Sequence, residues 1–272
     1  MKQIKKMIGV VCLFLSANHA GAQELFTYTE PASNMPTKSL GIRLTNNLLD
    51  EKHMGKTTYQ FLPELMWGAN KNLMIHAEAI MSNSAGPMSV VGAGTYIKYR
   101  FLSNDEVHRH FRMAAFGRAA YNQSHVHYQE LETNGMNTGG ELGLIATQLL
   151  HKQAISASLS YEQITDNGKG NTIHPGNATR GINYSLSTGR LILPAKYTSY
   201  KQTNFNVMLE VLGQYQPQTG QHYVDIAPSL QFIIHSQTRI DVGFRQQMQG
   251  NLDRMATTSF LFRVEHLLFN VL

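Results

Sequence analysis

The sequence predicts an all-β fold, an antiparallel up-and-down transmembrane β-barrel of about 12 strands, and three observations carry that prediction. Apolar and polar residues alternate with period two in segments of about ten residues. Short joins between segments share one side of the expected barrel, and the longest lie on the other. The amino terminus is laid out as an export signal.

In that leader, Lys2, Lys5 and Lys6 precede an apolar run from Met7 to Leu15, and Ala20-Gly21-Ala22 follows. Charge, apolar core and small-residue cleavage site in this order mark a secretory signal, dividing the chain into a signal peptide, 1–22, and a barrel, 23–272. The apolar run is about half of the ~20 residues a helix needs to cross a bilayer, so it is not an anchor. Lipidation at Cys12 would need a small residue before it, and Val11 is not small. After the leader no apolar stretch approaches the ~18 residues of a membrane-spanning helix.

The strands follow in order. Leu40, Ile42 and Leu44 oppose Arg43; Tyr59, Phe61, Leu65 and Trp67 oppose Gln60 and Glu64; Leu73, Ile75, Ala77, Ala79 and Met81 oppose His76 and Glu78. Val91, Ala93, Ile97, Tyr99 and Phe101 face away from Tyr96, Lys98 and Arg100, and Phe111, Met113 and Ala115 from Arg112 and Arg118. Leu142, Leu144 and Ala146 make a sixth segment. The seventh is the cleanest, with Ile155, Ala157, Leu159 and Tyr161 between Ser156, Ser158, Ser160 and Glu162. Ile182, Tyr184 and Leu186 follow, then Phe205, Val207, Leu209 and Val211 against Asn206 and Glu210. Val224, Ile226, Leu230 and Phe232 oppose Asp225 and Gln231; Ile240, Val242 and Phe244 oppose Asp241 and Arg245; Phe260, Phe262 and Val264 oppose Arg263 and Glu265.

A soluble sandwich shares this alternation, and the joins favour a barrel. Those near Ala69, His151 and Ser236 are short and share one side, while 122–138 and 165–180 are long and lie on the other. Short periplasmic turns, longer external loops and an even strand number are the habit of outer-membrane barrels. The connection 189–203 departs from it, being long on the short side, and holds either a strand end through Leu191 and Leu193 or a short helix. Trp67, Tyr99, Phe101, Tyr121 and Tyr161 near strand ends suit an interfacial girdle. The apolar stripe then meets lipid and the charged stripe lines the lumen.

Composition narrows function. Only 15% of the 272 residues are charged. Without the three leader lysines, 20 basic residues face 18 acidic ones, too small an excess for a nucleic-acid partner. The one cysteine lies in the leader, which leaves no disulfide and no thiolate ligand beyond it.

The entry Glu30-Pro31-Ala32-Ser33-Asn34-Met35-Pro36 before Gly41-Ile42-Arg43, the run Tyr96-Ile97-Lys98-Tyr99-Arg100-Phe101, the run Tyr200-Lys201-Gln202-Thr203-Asn204-Phe205-Asn206 and the closing aromatic strand carry a family likeness. In these the chain resembles the outer-membrane barrels of the meta-pathway phenol-degradation transporter family and their uncharacterised relatives. The resemblance implies a barrel passing small, including hydrophobic, molecules, and it supplies no catalytic residue. The carboxyl end departs from the usual barrel signal, since Phe269 is followed by Asn270, Val271 and Leu272.

Other chemistry is weaker. His108 with His110, and His125 with His127, each set two imidazoles on one strand face, short of the three or four ligands of usual metal sites. The methionines do not cluster, and His266 lacks a Gly-x-Ser-x-Gly partner motif. The expectation is therefore no enzyme, no cofactor and no metal, but a passive pore or transporter for small molecules in the outer membrane of a Gram-negative bacterium. Its lumen-lining groups are Arg43, His76, Glu78, Lys98, Arg100, Arg112, Glu210 and Arg263. Expected partners are outer-membrane lipid, the barrel-assembly machinery and a small-molecule solute. The alternative is a closed structural or interaction barrel that binds a partner through its external loops; a barrel enzyme ranks third.

Overall fold

A computed structural model describes residues 26–51, 55–107, 109–125, 128–195, 199 and 201–271. The signal peptide expected at 1–22 lies outside the described residues, as do His108 and His127. Each alternating segment forms one strand: β1 (Ser39–Glu51), β2 (Lys56–Gly68), β3 (Leu73–Ser82), β4 (Ser89–Glu106), β5 (Arg109–Asn122), β6 (Thr138–Leu150), β7 (Gln153–Thr165), β8 (Arg180–Leu193), β9 (Asn204–Gln216), β10 (Gln221–Ile234), β11 (Thr238–Gly250) and β12 (Ala256–Leu268). Neighbours in sequence pair antiparallel, and β1 closes the sheet against β12 from Leu40 opposite Leu268 to Glu51 opposite Ala256. Closure removes both sheet edges.

Period two then decides what faces outward. On β7, Leu159 is 59% exposed while Ser156, Ser160 and Glu162 are buried. The same split recurs on β4, where Ile97 and Tyr99 are exposed and Tyr96 and Lys98 are buried. Val91 is a correction to the sequence pattern. It faces inward and packs with Leu62 and Ile80, whereas Val90 is exposed. The cause is a bulge: the pairing of β3 with β4 shifts between Ile80 and Met81, and a one-residue shift exchanges the two faces of a strand.

The connections divide as the alternation requires. At the end where β1 begins lie 69–72, 107–108, 151–152, 194–203 and 235–237; at the opposite end the long ones are 123–137 and 166–179. β8 is a strand through Leu193, the extended strand end expected through Leu191 and Leu193, while 196–198 and 200 lie outside the described residues. Two pieces of chain outside the strands bear on the lumen: the amino-terminal segment 26–38 at one end and the β5–β6 connection at the other.

Two outcomes check this architecture. Unheated protein in detergent should migrate differently on a gel from boiled protein, and coincident bands would count against a closed barrel. Leu159→Arg, placing a cation in the outer apolar band near the middle of β7, should cost about 2–4 kcal/mol in urea titrations of the lipid-embedded barrel.

Candidate functional site

The amino-terminal segment is held across one mouth of the barrel by polar groups of the wall. Glu210 on β9, fully buried, accepts from the backbone N–H groups of Thr27, Tyr28 and Thr29, each at 2.9 Å, and from Thr29 Oγ1 at 2.7 Å. Three consecutive amides converging on one carboxylate satisfy donors that would otherwise be stranded away from water. Lys98 Nζ donates to the carbonyls of Pro31 and Ser33 at 2.7 and 2.8 Å. Ala32 N donates to Thr147 Oγ1 at 2.9 Å, and Arg112 donates to Ser33 Oγ at 2.8 Å. Apolar contacts are few. Phe26 packs against Leu149, Ala154 and Met208, and Ala32 against Ala114 and Ile145. Gly68 is required where the segment leaves the mouth, since a Cβ there would lie 2.1 Å from the Pro36 carbonyl oxygen.

From the opposite end the β5–β6 connection folds inward. Leu131 exchanges two hydrogen bonds with the Gln214 side chain, N to Oε1 at 3.1 Å and O from Nε2 at 2.8 Å. Thr133 N donates to Glu162 at 2.7 Å, Tyr128 OH to Glu51 at 2.5 Å, and Arg254 to Glu130 at 2.7 Å. Asn134 is bonded to Arg118.

Between these two stoppers lie two cavities of about 150 and 210 Å³ that share Tyr28, Glu30, Tyr96, Arg118, Glu132 and Arg245 as lining. Arg43, His76, Glu78 and Arg263 also line the first. Lys98 and Glu210 sit beneath, on the amino-terminal segment, and Arg112 meets that segment at Ser33. Arg100 is at the rim, donating to the Lys71 carbonyl in the β2–β3 turn at 2.7 Å. Gly94 leaves room for the Glu78 carboxylate, whose Oε1 would lie 2.5 Å from a Cβ.

The lining charges fall into three networks. Arg43 bridges Glu30 at 2.7 Å, Glu64 at 3.1 Å and Glu265 at 2.7 Å, and His76 Nδ1 lies 2.5 Å from Glu64. Arg254 and Arg245 share Asp225, at 2.8 and 2.5 Å, with the Arg254 guanidinium 3.7 Å from the centre of the Tyr223 ring. Arg118 joins Glu78 at 3.4 Å to Glu141 at 3.8 Å. Burial alone would raise the Glu30 carboxyl, but Arg43 and then Lys98 outweigh it and hold it well below the usual range. Glu132 goes the other way, raised by burial and by the neighbouring Glu130.

Sequence patterning missed Glu30, Glu130, Glu132 and Arg254, because all four lie outside the strands, where period two says nothing. Two signals pointed to three of them, and none to Arg254: a charge opening the proline-containing entry, and two acids either side of Leu131 in a loop otherwise rich in Asn, Gly and Thr. Among the described residues no three His, Cys, Asp or Glu side chains group as metal ligands.

No protein-family model and no curated protein sequence matches the chain. Solved structures do. The COG4313 outer membrane channel from Pseudomonas putida F1 matches with a TM-score of 0.53 at 11% identity, covering 89% of this chain and 100% of that one. The KdgM porin, solved in complex with disordered oligogalacturonate, matches with a TM-score of 0.50 at 9% identity, covering 83% and 98%. At these identities the likeness establishes the fold, that of outer-membrane β-barrels.

Glu210→Ala should weaken docking of the amino-terminal segment by about 1.5–3 kcal/mol, seen as faster amide exchange at Thr27, Tyr28 and Thr29. Glu30, with its folded pKa below its unfolded one, contributes stability above about pH 4.5 that is lost only as pH falls through the lower folded value. Protease protection of 26–38 should therefore be unchanged from about pH 7 to about pH 5, and Arg43→Gln should move its loss to higher pH.

Proposed function

We propose that the protein is a passive channel for small polar solutes in the outer membrane of a Gram-negative bacterium, with the amino-terminal segment and the β5–β6 connection as its two constrictions. One observation carries this reading: the space inside the barrel is lined by charged and hydroxyl groups and bounded by two pieces of chain held mainly by hydrogen bonds. Each such bond is exchanged for one to water on release, so its net contribution is about 1 kcal/mol, or somewhat more where a charge takes part. Segments held this way can be displaced without unfolding the wall. A polar lining also favours polar over hydrophobic cargo, because an apolar molecule would leave the ionic groups desolvated without recompense.

The second reading, a closed interaction barrel, is favoured by the occupation of both mouths. Conductance in a planar bilayer separates the two. The channel reading expects small, discrete currents that increase in Glu210→Ala, where the segment is loosened. Silence of both proteins across a wide voltage range would leave the closed barrel standing.

A further inference from the structure

The exposed surface of the barrel is charged differently at its two ends. At the end where β1 begins, five described cations are exposed: Lys38, Lys71, Arg109, Arg190 and Lys201. Two exposed acids share that end, both at the tip of β4. Asp105 is held by Arg112 and His110, and Glu106 stands opposite Arg109. The other four cations, Lys38, Lys71, Arg190 and Lys201, form no ion pair among the described residues. At the opposite end the exposed charges balance, with Lys169 and Arg180 against Asp50 and Asp166.

Their positions restrict what they can meet. Arg190 shares the outward face of β8 with Leu186, which is exposed and four residues away, so its charge emerges about 13 Å along the strand from the apolar band. Lys71 stands in the β2–β3 turn, four residues beyond the exposed Trp67, and the exposed Tyr99 lies opposite Leu73 beside that turn. Aromatic rings on a lipid-facing surface sit at headgroup level, and long cationic side chains reach from there toward the polar layer. β2 and β8 are six strands apart in a ring of twelve, which puts Lys71 and Arg190 on opposite sides of the barrel. A compact soluble anion or a single protein segment would meet one side only. A lipid leaflet meets the whole circumference.

We propose that this rim holds the anionic phospholipid headgroups of the periplasm-facing leaflet, with Lys38, Lys71, Arg190 and Lys201 as their counter-charges. Each cation close to an anionic leaflet favours association by about fivefold. The inference needs a membrane-spanning barrel whose short turns lie in the periplasm, and it holds whether or not the lumen conducts.

The test places the barrel in phosphatidylcholine vesicles with a trace of phosphatidylglycerol or phosphatidylcholine spin-labelled on the acyl chain, so that lipid touching the protein gives a motionally restricted signal. That signal should favour phosphatidylglycerol about two- to fivefold at low salt, and the preference should fall toward one in about 1 M salt. Lys38→Gln, Lys71→Gln, Arg190→Gln and Lys201→Gln combined should abolish it, while Lys169→Gln with Arg180→Gln should leave it intact. An unheated gel shift confirms that each variant is folded. Equal association of the two lipids, or a preference that survives in the fourfold variant, would overturn the rim. Absence of any restricted signal would overturn the membrane-spanning barrel and the rim together. Sidedness is read from Lys71→Cys in cells, the only other cysteine being Cys12 in the expected leader. A membrane-impermeant maleimide should react only after the outer membrane is opened, and labelling of intact cells would place this rim in the external leaflet and overturn the assignment.

Discussion

Pairing of β1 with β12 is the constraint from which the rest of the structure follows. Once the sheet is closed with its apolar residues outward, every charged residue of the other face is turned toward the axis, where water is limited. An eight-stranded barrel is about as wide as its own side chains can fill, and twelve strands leave a wider interior. Cations such as Arg43 and Lys98, both nearly or fully buried, then need partners that the facing wall cannot supply in full. Glu30 supplies one for both, at 2.7 and 3.4 Å, and it comes from outside the sheet.

The same logic operates at the other end. Arg254 and Arg245 stand over Asp225, and a second carboxylate, Glu130, reaches them from the inward-folded β5–β6 connection at 2.7 and 3.7 Å. A buried ion pair is weak evidence of net stability, because desolvation offsets much of the attraction; breaking one by removing a single partner costs far more. The stoppers are thus placed by the charges they neutralise rather than by apolar burial. This explains how a piece of chain can be well positioned in the lumen and still be held by groups that water can replace.

The cavity between the stoppers inherits its character from both. Its wall comes from strands whose inward positions are polar by alternation, and its floor and roof come from segments carrying Glu30, Glu130 and Glu132. Where each arginine finds its carboxylates, the charge is consumed locally. Glu162 is instead met by hydrogen bonds from Thr133 and Asn183, in a cavity that Arg118 and Arg245 also line.

The strands were legible because their information is local. Whether a residue faces outward depends on its parity within a segment, so Leu159 and Ser160, or Tyr99 and Lys98, sort correctly without knowledge of any partner. Parity failed at Val91, where one extra residue in the ladder with β3 shifts the register, and that depends on two strands at once. The inward positions of Arg43, His76, Glu78, Lys98, Glu210 and Arg263 were legible for the same reason, but their partners were not. Glu210 meets Thr27 across 183 positions of sequence, and Leu131 meets Gln214 across 83. The amino acid order by itself determined a sheet of twelve two-faced strands with charge on one side, since a period of two is a property of the backbone pleat. Only the tertiary structure decided that the amino-terminal segment and the β5–β6 connection enter the lumen and which carboxylates meet which arginines, because those outcomes depend on distances across a closed barrel that no local pattern encodes.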